Sequence, residues 1–200
     1  MSRARTSPLD KLVDDVLIAQ AELCSLFGYP PPSAPPGATA REIQRFEKWR
    51  NCKLPPSYKE ILKKHNGIGR LWSDFSFVGV AGSDAIKVFN RIQLITWIDT
   101  DETDPPLVDE AMIRERETQG HYYLPNHLPI GTNMARELIF YDESTQRRDG
   151  EMELVLWRPD EFPHPKFSAL RELLEWMLAD IKAELHSVSQ PTKSAKTRRR

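Results

Sequence analysis

Five histidines and two cysteines are the residues of this 200-residue chain best able to ligate a metal or attack a substrate, and their spacing speaks against both. His65, His121, His127, His164 and His186 form no HExxH pattern and have no cysteine pair nearby, so no two ligands are set on one helical face or one knuckle. His121 and His127 stand six apart across a proline and read as separate exposed or hydrogen-bonded rings. Cys24 and Cys52 are isolated thiols, with neither metal-ligand spacing nor a disulfide framework. Cys52 lies beside Lys53, which would lower its pKa if the ammonium sat close. No base accompanies it, and its place at a helix end marks it as structural. The glycines approach neither GxxxxGK nor GxGxxG, and no Gly-x-Ser-x-Gly elbow is present. Glu137 and Asp142 could meet in space, but spacing alone does not pair them. The chain therefore reads as a non-enzyme with no catalytic residues, no metal site and no cofactor.

Chemistry of recognition is better represented. Asp99, Asp101, Glu102, Asp104, Asp109 and Glu110 place six carboxylates in twelve residues with no basic residue among them. Trp97 precedes this run and Tyr122 and Tyr123 follow it, aromatic anchors of the kind found at interface centres. A field of that sign attracts basic partners and speeds association. These nine residues are the candidate partner-binding set. The bland alternative is a solvated loop that keeps the protein soluble. Overall charge is only −1, but the tail holds Lys193, Lys196, Arg198, Arg199 and Arg200 without an acid. With those five set aside, 23 basic residues face 29 acidic ones, a net of −6 for the rest. The tail has no interleaved aromatics and no accompanying recognition motif, so it reads as a solvated terminus and not as a nucleic-acid site.

The elements that must carry these residues can be read from periodicity. Leu9–Phe27 is amphipathic at helical spacing, with Leu9, Leu12, Val13, Val16, Leu17, Leu23, Leu26 and Phe27 on its apolar side. Pro30, Pro31, Pro32, Pro35 and Pro36 follow as an extended connector. Thr39-Ala40-Arg41-Glu42 has capping-box spacing, and Ile43, Phe46 and Trp49 give the next helix an apolar side ending near Asn51. In Leu54–Gly67, Leu54, Tyr58, Ile61, Leu62 and His65 make one helical stripe, Pro56 suits the first turn, and Asn66-Gly67 supplies the stop. Arg70–Val80 reads as one or two strands. Ile86–Ile98 leans to a strand or an irregular segment feeding a helix, Leu107–Gln119 to a short helix, and His121–Leu124 and Leu128–Gly131 to strand pieces. Glu137–Tyr141 and Glu153–Trp157 are strands, and the loop between them carries Asp149-Gly150, suited to a turn with positive φ. Ser168 can cap a last helix running to about His186, with Leu170, Leu173, Leu174, Met177, Ile181 and Leu185 on its apolar face. Helices, then strands, then a helix predict an α+β fold: a mainly antiparallel sheet flanked by an N-terminal helix pair and a C-terminal amphipathic helix.

The ordered set Ile43, Phe46, Glu47, then Leu54-Pro55, Tyr58-Lys59, Leu62 and Asn66-Gly67 resembles the N-terminal signature of the SUKH superfamily. Leu128-Pro129-Ile130-Gly131 followed by Glu137 and a strand ending in Asp142 resembles that family's central strand pair, and Phe167–Leu178 its closing helix. A glycine-rich loop common after the Ile-Gly is replaced here by Thr132-Asn133-Met134-Ala135-Arg136. The resemblance implies residues 1–37 as an N-terminal extension (a helix at about 9–27 and a Pro-rich linker), 38–186 as a SUKH-like domain, and 187–200 as a disordered basic tail. It implies a protein-binding module: an immunity protein neutralising a cognate toxin of nuclease type, or else a regulatory scaffold of the cell-wall-regulator type. The expected partner is a basic toxin domain. The first helix is expected to pack back on the domain, with a homodimer through it as the alternative. Composition, at 40% hydrophobic and 28% charged, is that of a soluble domain, and no apolar run reaches the ~18–20 residues of a membrane span. A cytoplasmic location is the default expectation.

Overall fold

A computed structural model describes residues 7–82, 127–133, 135, 137–158 and 163–189. Among them are four helices: α1 (Pro8–Phe27), α2 (Ala40–Arg50), α3 (Pro56–Lys64) and α4 (Leu170–Ser189). Six strands, β1 (Ile68–Trp72), β2 (Phe75–Phe77), β3 (His127–Thr132), β4 (Leu138–Asp142), β5 (Glu153–Trp157) and β6 (Lys166–Phe167), form one sheet in sequence order, every neighbour antiparallel. The fold is α+β, as the order of patterns predicts. The expected strand at Ile86–Ile98, helix at Leu107–Gln119 and strand piece at His121–Leu124 lie outside the described residues.

Local chemistry sets the helix ends. Ser7 Oγ accepts the Asp10 N–H and opens α1, which closes on Gly28 in the left-handed conformation. At α2 the capping box forms: Thr39 Oγ1 accepts the Glu42 N–H at 3.3 Å, and Glu42 returns to the Thr39 N–H at 2.8 Å. Helix α3 begins with Pro56 and has no capping side chain of its own. Glu151, from the loop before β5, supplies the missing acceptor: its carboxylate takes the Ser57 N–H at 2.8 Å and the Ser57 hydroxyl at 2.7 Å. The helix stops at His65, and Gly67 turns the chain at φ 86°.

The last helix starts later than its pattern suggests. Phe167 belongs to β6 and pairs with Leu154, because the apolar ring completes the sheet edge before the chain can turn. Ser168 then stands ahead of α4, and both its N–H and its hydroxyl reach the Glu172 carboxylate, at 2.7 and 2.8 Å.

One core joins the four described helices to one face of the sheet. It includes Val13, Val16 and Leu23 of α1, Ile43 and Phe46 of α2, and Leu54 and Leu62 at α3. Ile139, Leu154 and Leu156 come from the strands, and Leu173, Met177 and Ile181 from α4. Helix α1 therefore packs back on the domain, against α4, α3 and β1. The opposite face of the sheet carries a smaller apolar cluster, Val78, Leu138, Phe140 and Val155. That explains why β4 reads as a near-continuous apolar run, buried on both sides.

The proline connector also has a structural duty. Ser33 and Gly69 exchange both backbone hydrogen bonds, at 3.0 and 2.7 Å, so the connector covers part of the β1 edge that would otherwise stay open. It then passes so close to α3 that a Cβ at Gly37 would lie 1.8 Å from the Lys63 carbonyl oxygen.

Tyr58 fixes α3 to the sheet. Its hydroxyl, fully buried, donates to the Val78 carbonyl at 2.5 Å, and burial holds its pKa well above the usual phenol range. A Tyr58→Phe variant strands that carbonyl without its donor, an expected loss of about 1–2 kcal/mol in urea unfolding with an unchanged m-value. Full wild-type stability in that variant would show that the bond contributes nothing.

Candidate functional site

All nine residues of the sequence-derived binding set, Trp97, Asp99, Asp101, Glu102, Asp104, Asp109, Glu110, Tyr122 and Tyr123, lie outside the described residues.

The signature residues themselves make a junction between α2 and α3. Glu47 is buried to 7% exposure. Its Oε1 accepts the Leu54 N–H at 2.9 Å and the Lys59 ammonium at 3.1 Å, while Oε2 faces Lys53 at 3.4 Å. Burial alone would raise its pKa. The Leu54 N–H and the two lysines outweigh that, and the net shift is downward. Asn66 performs a similar service at the end of β2: its Oδ1 accepts the N–H groups of Val80 and Ala81, at 2.8 and 3.0 Å. The carboxylates named as a pair do not converge. Glu137, next to β4, meets Arg158 at 3.1 Å and the Asn133 amide at 2.7 Å, whereas Asp142 caps a single 3-10 turn at the far end of the strand. The Asn133–Glu137 bonds close the β3–β4 connection.

The thiols and three of the histidines, His65, His127 and His164, hold structural places, while His121 lies outside the described residues. Cys24 is buried in the core. Cys52 follows α2, donates weakly to the Lys53 carbonyl at 3.5 Å, and has its pKa pushed up to about 11 by burial and by the charge of Glu143. It is thus the opposite of an activated nucleophile. His127 opens β3 with its ring edge-on to Phe140 at 4.3 Å, His65 closes α3, and His164 lies 6.2 Å from Trp157. No group of metal-ligating side chains occurs among the described residues.

Helix α2 presents an exposed cationic stripe that the reading of apolar positions passed over. Arg41, Arg45 and Lys48 are exposed at i, i+4 and i+7, on the side opposite Ile43 and Phe46. Trp49 borders them, 39% exposed and 5.5 Å from the Phe46 ring. Periodicity of Lys and Arg, taken as seriously as that of Leu and Ile, would have found it.

Glu47, Leu54, Tyr58 and Asn66, all in the ordered set read from the sequence, tie α2 and α3 to the start of an antiparallel meander. The sequence matches the SMI1 / KNR4 family (SUKH-1) over residues 37–176. The chain belongs to that family. No curated protein matches it at a significant level. The SUKH match begins just before Thr39 and ends within α4, so α1 lies outside it although its side chains share the domain's core. Membership is consistent with an immunity or regulatory protein-interaction module. No described helix is long and apolar enough to cross a membrane.

Proposed function

We propose that this SUKH protein is an immunity protein that neutralises a cognate toxin, of nuclease type, by binding it directly. The single observation that carries the reading is the family match over residues 37–176. The charge distribution supports it: a chain with a net of −6 ahead of its basic tail suits a basic partner. The contact surface we assign is the acidic run Asp99, Asp101, Glu102, Asp104, Asp109 and Glu110 with Trp97, Tyr122 and Tyr123. There carboxylates would occupy a groove meant for substrate phosphates. Neutralisation at cellular concentrations calls for nanomolar affinity, about −12 kcal/mol.

Co-expression with the toxin encoded beside its gene tests this directly. Wild type should restore growth, and a triple reversal of Asp101, Glu102 and Asp104 to lysine should slow association by roughly tenfold or more at low salt. Growth arrest unrelieved by wild type contradicts the reading. A second reading, a regulatory scaffold, draws on the stripe Arg41, Arg45 and Lys48 beside Trp49, which suits an acidic partner. Under it, reversing those three cations abolishes partner capture. Under the first reading it leaves growth protection intact.

A further inference from the structure

Of the five asparagines in the chain, Asn66 alone is followed by a glycine. That pair is the asparagine context most prone to lose its amide. With no Cβ in the way, the next backbone nitrogen reaches the side-chain carbonyl carbon. In the folded protein the groups this reaction needs are engaged. The nucleophile is the Gly67 nitrogen, and its N–H is donated to the His65 carbonyl at 2.9 Å. The electrophile is Cγ of Asn66, whose amide is bound on both sides. Oδ1 accepts the Val80 and Ala81 N–H groups at 2.8 and 3.0 Å, and Nδ2 donates to the Ala81 carbonyl at 3.2 Å. The surroundings have no slack. A Cβ at Gly79 would lie 2.5 Å from the Asn66 carbonyl oxygen and 2.7 Å from Oδ1, and one at Gly67 would lie 2.7 Å from the Gly79 nitrogen. Attack requires an aligned nitrogen and a carbon free to become tetrahedral, and three bonds hold this amide flat. Two N–H groups on Oδ1 would stabilise an oxyanion there, but with the nucleophile engaged they serve to hold the amide.

We propose that Asn66-Gly67 is a modification site opened only by unfolding: the native loop protects it, and time spent unfolded converts it to products the fold does not take back. The Gly67 nitrogen attacks Asn66 Cγ, a new C–N bond closes a succinimide, and the Cγ–Nδ2 bond breaks. The proton of the attacking nitrogen leaves with Nδ2 as ammonia. Water then opens the ring at either carbonyl, giving aspartate or isoaspartate. Aspartate sets an oxygen where Nδ2 donated, acceptor against the Ala81 carbonyl. Isoaspartate adds one methylene to the main chain at the turn where Gly67, at φ 86°, lies against Gly79. Either product loosens the tie between the exit of α3 and the segment after β2, so a chain long unfolded is marked against refolding.

The test is peptide mass spectrometry of the full chain after incubation in one mildly alkaline buffer, both folded and in denaturing urea. Conversion at Asn66 should be at least about a hundredfold slower in the folded sample, because it waits on opening of the native loop. Across the urea transition its rate should follow the unfolded fraction. Equal rates in the two samples, or a rate indifferent to urea across the transition, overturn the protection. After long incubation in urea, refolding should return native protein in proportion to the amide that survives. The first product can also be made directly: Asn66→Asp should melt below wild type or fail to refold. Wild-type Tm in Asn66→Asp, or isoaspartate at position 66 in the refolded native fraction, overturns the irreversibility.

Discussion

Removing residues 1–37, although all but one precede the family match, should leave a chain that no longer unfolds cooperatively. Helix α1 places Val13, Val16, Ala19 and Leu23 in the same core as α3, α4 and the sheet, each at 7% exposure or less. Burying one such valine or leucine contributes about 1.5–3 kcal/mol. Losing the set, and uncovering the faces of α4 and β1 beneath, removes an amount comparable to the whole 5–15 kcal/mol of a typical domain. The deletion also takes away Ser33 and Pro36, whose backbone bonds to Gly69 and Asn66 cover the sheet edge. A point substitution reports on the same contact: Val16→Asp buries an unpaired carboxylate and should cost more than about 4 kcal/mol. The expected observation is a broad thermal transition with strong binding of a hydrophobic dye. A sharp transition within a few degrees of wild type, for either variant, would show that α1 merely rests on the domain.

Glu47→Ala should be the second most damaging change. It leaves the buried Leu54 N–H without an acceptor and Lys59 and Lys53 without their shared countercharge. Breaking such a network from one side costs about 3 kcal/mol, or roughly 6–12 °C in Tm for a chain of this size. The pH dependence identifies the cause. In the folded protein the Glu47 carboxyl titrates below its ordinary value of 4.5. Its contribution is therefore complete above that value and disappears as pH falls through the lower, folded one. Glu42, held down by its bonds to Thr39, and Glu172, held down by Ser168, act in the same direction. Wild type should lose stability on acidification below about pH 4.5, and Glu47→Gln should lose less over the same range. Parallel stability curves for the two proteins would assign the acid sensitivity elsewhere.

How much of this was legible in the sequence follows from how local each cause is. The Thr39–Glu42 box, the Gly67 and Gly150 turns and the amphipathic face of α4 depend on residues a few positions apart, and each stands where periodicity and turn chemistry place it. Helix α1 follows its pattern as far as Leu23, but Leu26 and Phe27, expected on its apolar side, are 53% and 47% exposed because the helix runs past the core. The sheet was legible as strands, though not as a six-stranded meander. Strand β6, only two residues long, has no periodicity to read. Contacts between distant segments were not legible. Nothing near Pro56 in the chain announces that Glu151 caps α3, and nothing around Glu47 separates a buried carboxylate from the exposed ones beside it. The candidate site divides in the same way. The acidic run shows itself as composition, while the Glu47 junction exists only once α2 and α3 meet.

The measurement that bears most directly on the proposed function is a calorimetric titration of the full-length protein into the toxin domain encoded by the adjacent gene, inactivated by substitution so that it can be purified. The expected result is a one-to-one complex of nanomolar affinity that weakens steeply with added salt. No detectable binding of a folded, correctly paired toxin would contradict it.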